Sequence, residues 1–159
     1  MIATHAYSLN GRVWIELQDS FGSPSEELRT LLGRLNGDDR YSLILCKLPD
    51  GEHLDEMSPG DEALQYIQSA GSATRLVVEV SRLEDGERAS FLIGRPVAAG
   101  SSDPEEEVRW SNFVAVVHRS EVFDADEAAT LFSSYYCTGS VPSEYVQTPG
   151  GAPTKRIST

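Results

Sequence analysis

Apolar and polar residues alternate near the start of the chain, which predicts a β-hairpin. The segments Ala3–Leu9 and Arg12–Leu17 have this alternation and flank Asn10-Gly11, a dipeptide that accepts the positive φ angles of a tight hairpin turn. The second of these strands has one apolar face, which consists of Val13, Ile15 and Leu17. The pattern therefore predicts a hairpin with one face directed towards a core.

Two later segments have apolar residues at the spacing of one face of an α-helix. The first begins at the capping sequence Ser23-Pro24-Ser25-Glu26 and ends at Asn36-Gly37, which are residues typical of a helix start and stop. The second begins at Asp124 and ends at Gly139. The predicted buried stripes are Leu28, Leu31, Leu32 and Leu35 in the first helix, and Ala128, Leu131, Phe132 and Tyr135 in the second.

Between the helices the chain is predicted to consist mainly of strands. Tyr41–Leu48 is one strand, and Thr74–Leu83 and Glu87–Arg95 flank a Glu-Asp-Gly turn and form a second hairpin. Arg109–His118 is predicted as a single strand, since its apolar run is nearly continuous. Asp61–Ser69 fits either a short helix or a strand, and continuity with its neighbours favours the strand.

Three segments lack apolar residues at the spacing expected for a buried helix or strand. Asp50–Glu62 contains six acidic residues and no Lys or Arg, and Val97–Glu107 is rich in Gly, Ser and Pro, so both are predicted to be loops. Residues 147–159 have no core-forming pattern and are predicted to be a disordered tail. Residues 1–146 are then one domain, because 159 residues hardly suffice for two.

The order of these elements predicts an α+β fold. It comprises a twisted antiparallel sheet of five to seven strands with two main helices packed on one face. A run of about 20 apolar residues, as needed to cross a bilayer, does not occur in the sequence. The N-terminal residues lack a secretory signal pattern. We therefore expect a cytoplasmic protein whose Cys46 and Cys137 are buried free thiols.

The formal net charge of −12 restricts the partners that the chain can bind. Binding to DNA, RNA or an anionic membrane depends on Lys and Arg, so neither nucleic acid nor membrane is expected as a partner. A protein with a basic surface is favoured, because complementary charge accelerates association. The alternative is that the charge serves solubility alone.

The sequence contains no recognisable motif or cluster of the residue types that form enzymatic sites. It has neither a Gly-x-Ser-x-Gly elbow nor a phosphate-binding glycine loop. The histidines His5, His53 and His118 are scattered, and the cysteines lack metal-ligand spacing. We therefore expect no catalytic residues, no cofactor and no metal. An enzyme whose site is built from less conspicuous residues stays open as an alternative.

The acidic segments Asp50–Glu62 and Asp103–Glu107 are the predicted partner-binding site, with solvated loops as the competing interpretation. Trp110 lies beside the second segment, where it is either a core residue or an interface residue of the kind enriched in binding hot spots. The candidate residues are Asp50, Glu52, Asp55, Glu56, Asp103, Glu105, Glu106, Glu107 and Trp110.

The segment Asn112–Val146 resembles the C-terminal signature of the Imm1-type immunity proteins of bacterial polymorphic toxin systems. In that family a strand leads into V-P/D-x-x-x-A, then A-x-x-x-F, then T-G-x-x-P. The matching positions here are Val122, Asp124, Ala128, Phe132, Thr138, Gly139 and Pro142. Many relatives continue with an apolar residue and Trp, whereas this chain has Tyr145-Val146-Gln147.

The resemblance implies a non-enzymatic protein that binds and neutralises a cognate toxin domain, in many systems a nucleic-acid deaminase. With the acidic charge, it predicts that the two acidic loops cover the nucleic-acid site of a basic toxin domain. A small acidic adaptor or regulatory module, unrelated to toxin immunity, is the alternative.

Overall fold

The computed structural model describes residues 4–10, 12–17, 22–48, 65–150 and 154–156. Its regular elements are, in chain order, β1 His5–Leu9, β2 Val13–Glu16, α1 Pro24–Gly33, β3 Ser42–Lys47, β4 Tyr66–Ser72, β5 Arg75–Glu84, β6 Glu87–Gly94, β7 Glu105–Trp110, β8 Phe113–His118, a 3₁₀ helix Arg119–Glu121, α2 Ala125–Thr138, β9 Val146–Pro149 and β10 Thr154–Arg156.

Seven strands form one antiparallel sheet in the order β2-β1-β3-β4-β5-β6-β9. The helices α1 and α2 pack against each other and against one face of this sheet. The α+β class, the antiparallel sheet and the two helices are therefore confirmed. A second sheet of three strands, in the order β10-β8-β7, was not predicted.

The main core lies between the helices and the large sheet. The predicted stripes line this core, and all eight of their side chains are buried, including Leu35, which follows the end of α1. They pack on apolar side chains of the sheet, which include Leu43, Leu45, Ile67, Leu76, Val78 and Ile93. Each large side chain removed from water contributes about 1.5–3 kcal/mol, so this layer is the main source of stability.

Both helices begin at the predicted capping residues. The Ser23 side chain accepts a hydrogen bond from the Glu26 amide at 3.1 Å, and Asp124 accepts one from the Glu127 amide at 2.9 Å. Helix α2 ends at Gly139, which has a φ of 81°. Helix α1 ends at Gly33, about one turn before the predicted stop. The reason is that Asn36 pairs with Ser72 of β4 instead.

The predicted loop Val97–Glu107 and the predicted single strand Arg109–His118 are both wrong in their bounds. Strand β7 begins at Glu105, and a turn at Ser111, with a φ of 53°, separates it from β8. The resulting β7–β8 hairpin packs on the face of the large sheet opposite the helices. A second core lies there, consisting of Ala70, Val77, Leu92, Val108, Ala115 and Val117.

The sequence also predicts disorder from residue 147 onwards, where the structure instead has two strands. Strand β9 pairs with β6 at one edge of the large sheet, and β10 pairs with β8. These strands are held by backbone pairing, which hydrophobic periodicity does not record, and an edge strand tolerates Pro149. Residues 151–153 and 157–159 lie outside the described part of the chain.

The remaining elements agree with the prediction, except that Val13 and Ile15 of the edge strand β2 are exposed. The N-terminal hairpin is confirmed. Of the segment Asp61–Ser69, the structure describes residues 65–69, and residues 66–69 belong to strand β4, as predicted. Cys46 is buried as expected, whereas Cys137 is exposed, and neither forms a disulfide bond. No helix within the described residues is long and apolar enough to cross a bilayer.

Candidate functional site

The β7–β8 hairpin presents one face to the second core and one to solvent. Side chains alternate along a strand, so β7 directs Glu106, Val108 and Trp110 inward. The side chains on the other side form what we call the outer face of the hairpin, which consists of Glu105, Glu107, Arg109, Val114, Val116 and His118. The two valines are half-buried and the four polar residues are exposed.

Glu105 and Glu107 are the exposed carboxylates of the outer face. Glu105 lies opposite His118 and Glu107 opposite Val116. The described residues provide neither carboxylate with an ion-pair partner. The Glu107 backbone carbonyl does have a partner, since it accepts a hydrogen bond from Arg75 at 2.7 Å. This contact ties the hairpin to β5 and leaves the Glu107 side chain directed outward.

Glu106 has a different environment from its two neighbours. Its carboxylate accepts hydrogen bonds from Arg119 at 2.6 Å and from Arg75 at 2.9 Å. These hydrogen bonds, led by the one from Arg119, lower the pKa of Glu106. Its negative charge is therefore paired within the molecule, between the hairpin, β5 and the 3₁₀ helix.

Asp103 and Trp110 also have contacts within the molecule. The Asp103 carboxylate accepts hydrogen bonds from the Ser120 hydroxyl at 2.7 Å and the Ser120 amide at 2.9 Å, and these lower the pKa of Asp103. The Asp103 carbonyl lies 3.0 Å from Nδ1 of His118. Trp110 is half-buried against the second core. Asp103 thus positions the segment before β7.

The predicted site is therefore divided in the structure. Of its members, Glu105 and Glu107 lie together on the outer face, whereas Asp103, Glu106 and Trp110 face other parts of the protein. Asp50, Glu52, Asp55 and Glu56 lie outside the described residues. The outer face thus combines the exposed carboxylates of Glu105 and Glu107 and the exposed guanidinium group of Arg109 with two half-buried valines.

A groove of about 370 Å³ lies between β2 and α1, and we call it the α1–β2 groove. Sequence reasoning did not identify it, because its residues come from separate segments. The lining residues are Tyr7, Ile15, Glu16, Leu17, Gly22, Ser23, Glu26, Glu27 and Thr30. Val13 and Ile15, predicted to face a core, are 66% and 46% exposed here, because β2 lies at one edge of the sheet formed by the described strands.

A second groove of about 400 Å³ lies at the C-terminal end of α2 and contains His5. The His5 ring is buried, with its centroid 4.4 Å from that of Tyr136 and Nδ1 2.9 Å from Oγ1 of Thr4. Burial, and to a lesser extent the positive charge of Lys47, lowers the pKa of His5 to about 4. His5 is therefore neutral in the folded protein near pH 7.

The lowered pKa of His5 predicts a loss of stability in acid. The unfolded chain binds a proton at this residue near its ordinary pKa of 6.5, whereas the folded protein binds it only near 4. The free energy of unfolding should therefore fall by about 2–3 kcal/mol from this residue alone as the pH falls from about 7 to about 4. Urea denaturation of the wild type and of His5→Phe at both pH values measures the difference. If the free energy of unfolding fell equally in the two proteins between these pH values, His5 would not be the cause of the loss.

The described residues contain no group of three or more His, Cys, Asp or Glu side chains that could hold a metal ion. Comparison with protein-family models gives no match for this chain. Searches of curated proteins and of solved structures likewise give no match. The functional assignment therefore depends on the chain's own residues and on the sequence resemblance of its C-terminal third.

Proposed function

We propose that the protein is a non-enzymatic immunity protein that binds and neutralises a cognate nucleic-acid-acting toxin domain. The observation that carries this proposal is the pair of outward-facing carboxylates, Glu105 and Glu107, on a strand of a chain with a net charge of −12. The resemblance of Asn112–Val146 to immunity proteins supports the same function.

The proposed mechanism is occlusion of a basic surface. A domain that acts on nucleic acid uses Lys and Arg side chains to bind phosphates. The outer face of the hairpin would lie on those side chains, with Glu105 and Glu107 in place of phosphates and Val114 and Val116 packed at the centre. Arg109, on the same face, would require a matching acidic or neutral position in the toxin and so contributes specificity.

The architecture of the hairpin suits this role. Glu107 and Glu106 are fixed to β5 by Arg75, which contacts the Glu107 carbonyl at 2.7 Å and the Glu106 carboxylate at 2.9 Å. Asp103 fixes the start of the strand through Ser120. A surface held in this way loses little conformational entropy on binding, so more of the interaction energy appears as affinity.

The double substitution Glu105→Lys and Glu107→Lys tests this surface. It should slow association with the proposed cognate toxin domain by about tenfold or more at low ionic strength, because it reverses the charge that steers encounter. The difference should shrink as salt is added. Stopped-flow or surface plasmon resonance kinetics measure both effects.

A control with the same change in net charge is Glu87→Lys and Glu144→Lys. Both residues are exposed and neither belongs to the outer face. This control should lose much less association rate than the hairpin variant. Equal loss in the two variants would show that only net charge matters, and a wild-type rate in the hairpin variant would exclude the outer face as the contact.

A further inference from the structure

His118 ends strand β8 on the outer face of the hairpin. Its side chain is exposed, and it lies opposite Glu105 in the pairing of β7 with β8. Just beyond this pair, the Arg119 amide donates a hydrogen bond to the Pro104 carbonyl at 2.9 Å. Hydrogen-bonded and non-hydrogen-bonded pairs alternate along an antiparallel ladder. Glu105 and His118 are therefore a non-hydrogen-bonded pair, in which the two side chains lie close together.

A contact with Asp103 determines which ring nitrogen of His118 carries the proton. Nδ1 lies 3.0 Å from the backbone carbonyl oxygen of Asp103. A carbonyl oxygen only accepts hydrogen bonds, so Nδ1 must be the donor. In the neutral ring Nε2 then has no proton and is an acceptor. Nε2 lies on the other side of the ring from this contact, so the neutral ring adds an acceptor to the outer face beside Glu105.

Protonation would reverse the contribution of His118 to the outer face. The imidazolium ring is positively charged and donates from both nitrogens, so it repels a basic partner. It also attracts the neighbouring carboxylate of Glu105, which is then less available to that partner. On the outer face, two carboxylates and the guanidinium group of Arg109 leave one negative charge in excess while His118 is neutral. A proton on His118 cancels that excess.

The other charged side chains close to His118 already have partners within the molecule. Asp103, Arg119 and Glu121 contact the Ser120 hydroxyl, the Glu106 carboxylate and the His118 backbone amide, respectively. Glu105 is exposed on the outer face directly opposite the ring. The charge of His118 therefore acts chiefly on Glu105 and on whatever molecule contacts it.

We propose that His118 makes binding at the outer face depend on pH, because a basic partner requires the neutral ring. Nε2 of the neutral ring accepts a hydrogen bond from a Lys or Arg side chain of the partner, beside Glu105, and the protonated ring weakens the same contact. This inference rests on the proposed function, since it takes the outer face as the contact surface. It adds a residue that releases the partner in acid.

A blocked hexa-arginine peptide is a suitable probe of this surface. It is titrated at about pH 7.5 and about pH 5.5 into the ¹⁵N-labelled full-length protein with His53→Gln. Arginine and ordinary carboxylates keep their charges in this range, and His5 stays neutral because burial lowers its pKa to about 4. His118 is then the remaining histidine of the chain that can change charge. We expect saturable shifts of the Glu105, Glu107 and His118 amides, with an affinity about three- to fivefold lower at the acidic pH.

Two substitutions of His118 in the same background are the matched controls. His118→Gln retains an acceptor but cannot titrate, so it should bind the peptide equally at both pH values. His118→Lys is positively charged at both pH values and should bind with the lower affinity throughout. Circular dichroism checks that both variants fold, as expected for an exposed position. A long-range ¹H–¹⁵N spectrum of the free protein should show the proton of the neutral His118 ring on Nδ1.

The proposal is overturned if the affinity does not change with pH, if His118→Gln retains the same pH dependence, or if the shifts lie away from the outer face. A neutral ring with its proton on Nε2 would also overturn it. Neutralisation of the proposed toxin domain at one pH tests the immunity function separately. Peptide binding that is independent of pH would therefore remove the role of His118 and leave the immunity function intact.

Discussion

Gly71→Ala is expected to lower the free energy of unfolding by roughly 3–5 kcal/mol, from steric overlap and backbone strain together. Gly71 lies in β4 with a φ of 131°, which side chains rarely allow. A Cβ atom there would lie 2.3 Å from the Arg75 carbonyl oxygen and 2.8 Å from the Leu76 Cα. Both are backbone atoms of β5, so relief of the contact requires β4 and β5 to separate.

Gly86→Ala is the matched control for Gly71→Ala. Gly86 also has a positive φ, of 81°, but a Cβ atom there would meet nothing within 4 Å. This variant should lose only the cost of a left-handed residue, about 1–2 kcal/mol. Urea denaturation followed by circular dichroism gives both values. Equal losses would show that the approach of β5 to Gly71 is not the cause.

Phe132→Ala is expected to lower the free energy of unfolding by about 3–5 kcal/mol. Phe132 has 0% exposure and lies in α2 within the main core, so its removal leaves a cavity between the helix and the sheet. The same substitution at Phe113, which is 40% exposed at the end of the β7–β8 hairpin, should cost roughly 1 kcal/mol. Similar losses at the two positions, measured by chemical denaturation, would contradict this account of the core.

The helices could be predicted from the sequence because their signals are local. Ser23 and Asp124 mark the starts, and Leu28 and Phe132 belong to stripes at helical spacing. Each of these features acts within one or two turns of the helix that contains it. Packing of the helices on a strand-rich sheet then follows, because both stripes need an apolar partner surface.

The β7–β8 hairpin was missed because its turn lacks a recognisable sequence signal. Ser111 takes a positive φ without a glycine beside it, whereas prediction relies on dipeptides such as Asn-Gly. Without a signal for this turn, the sequence predicts Glu105–Glu107 as part of a loop. The alternation that directs Glu106 towards Arg75 and Arg119, and Glu105 and Glu107 towards solvent, could not be derived without that strand.

Contacts between distant segments account for the other differences. Strand β9 exists because it pairs with β6, and the α1–β2 groove forms because Tyr7, Ile15 and Glu27 meet across separate elements. Neither the pairing of β9 with β6 nor the groove between β2 and α1 leaves a periodic pattern in the sequence. The acidic charge, by contrast, is a property of composition and could be recognised before the fold was known.

The central claim is that this chain neutralises a nucleic-acid-acting toxin domain by binding to it. The most direct test adds the purified protein to the proposed cognate toxin domain and measures that domain's activity on nucleic acid at increasing molar ratio. We expect activity to fall to background near one molecule of this protein per toxin domain. We also expect the Glu105→Lys, Glu107→Lys variant to require a large excess. Full toxin activity at a several-fold excess of the wild-type protein would contradict the claim.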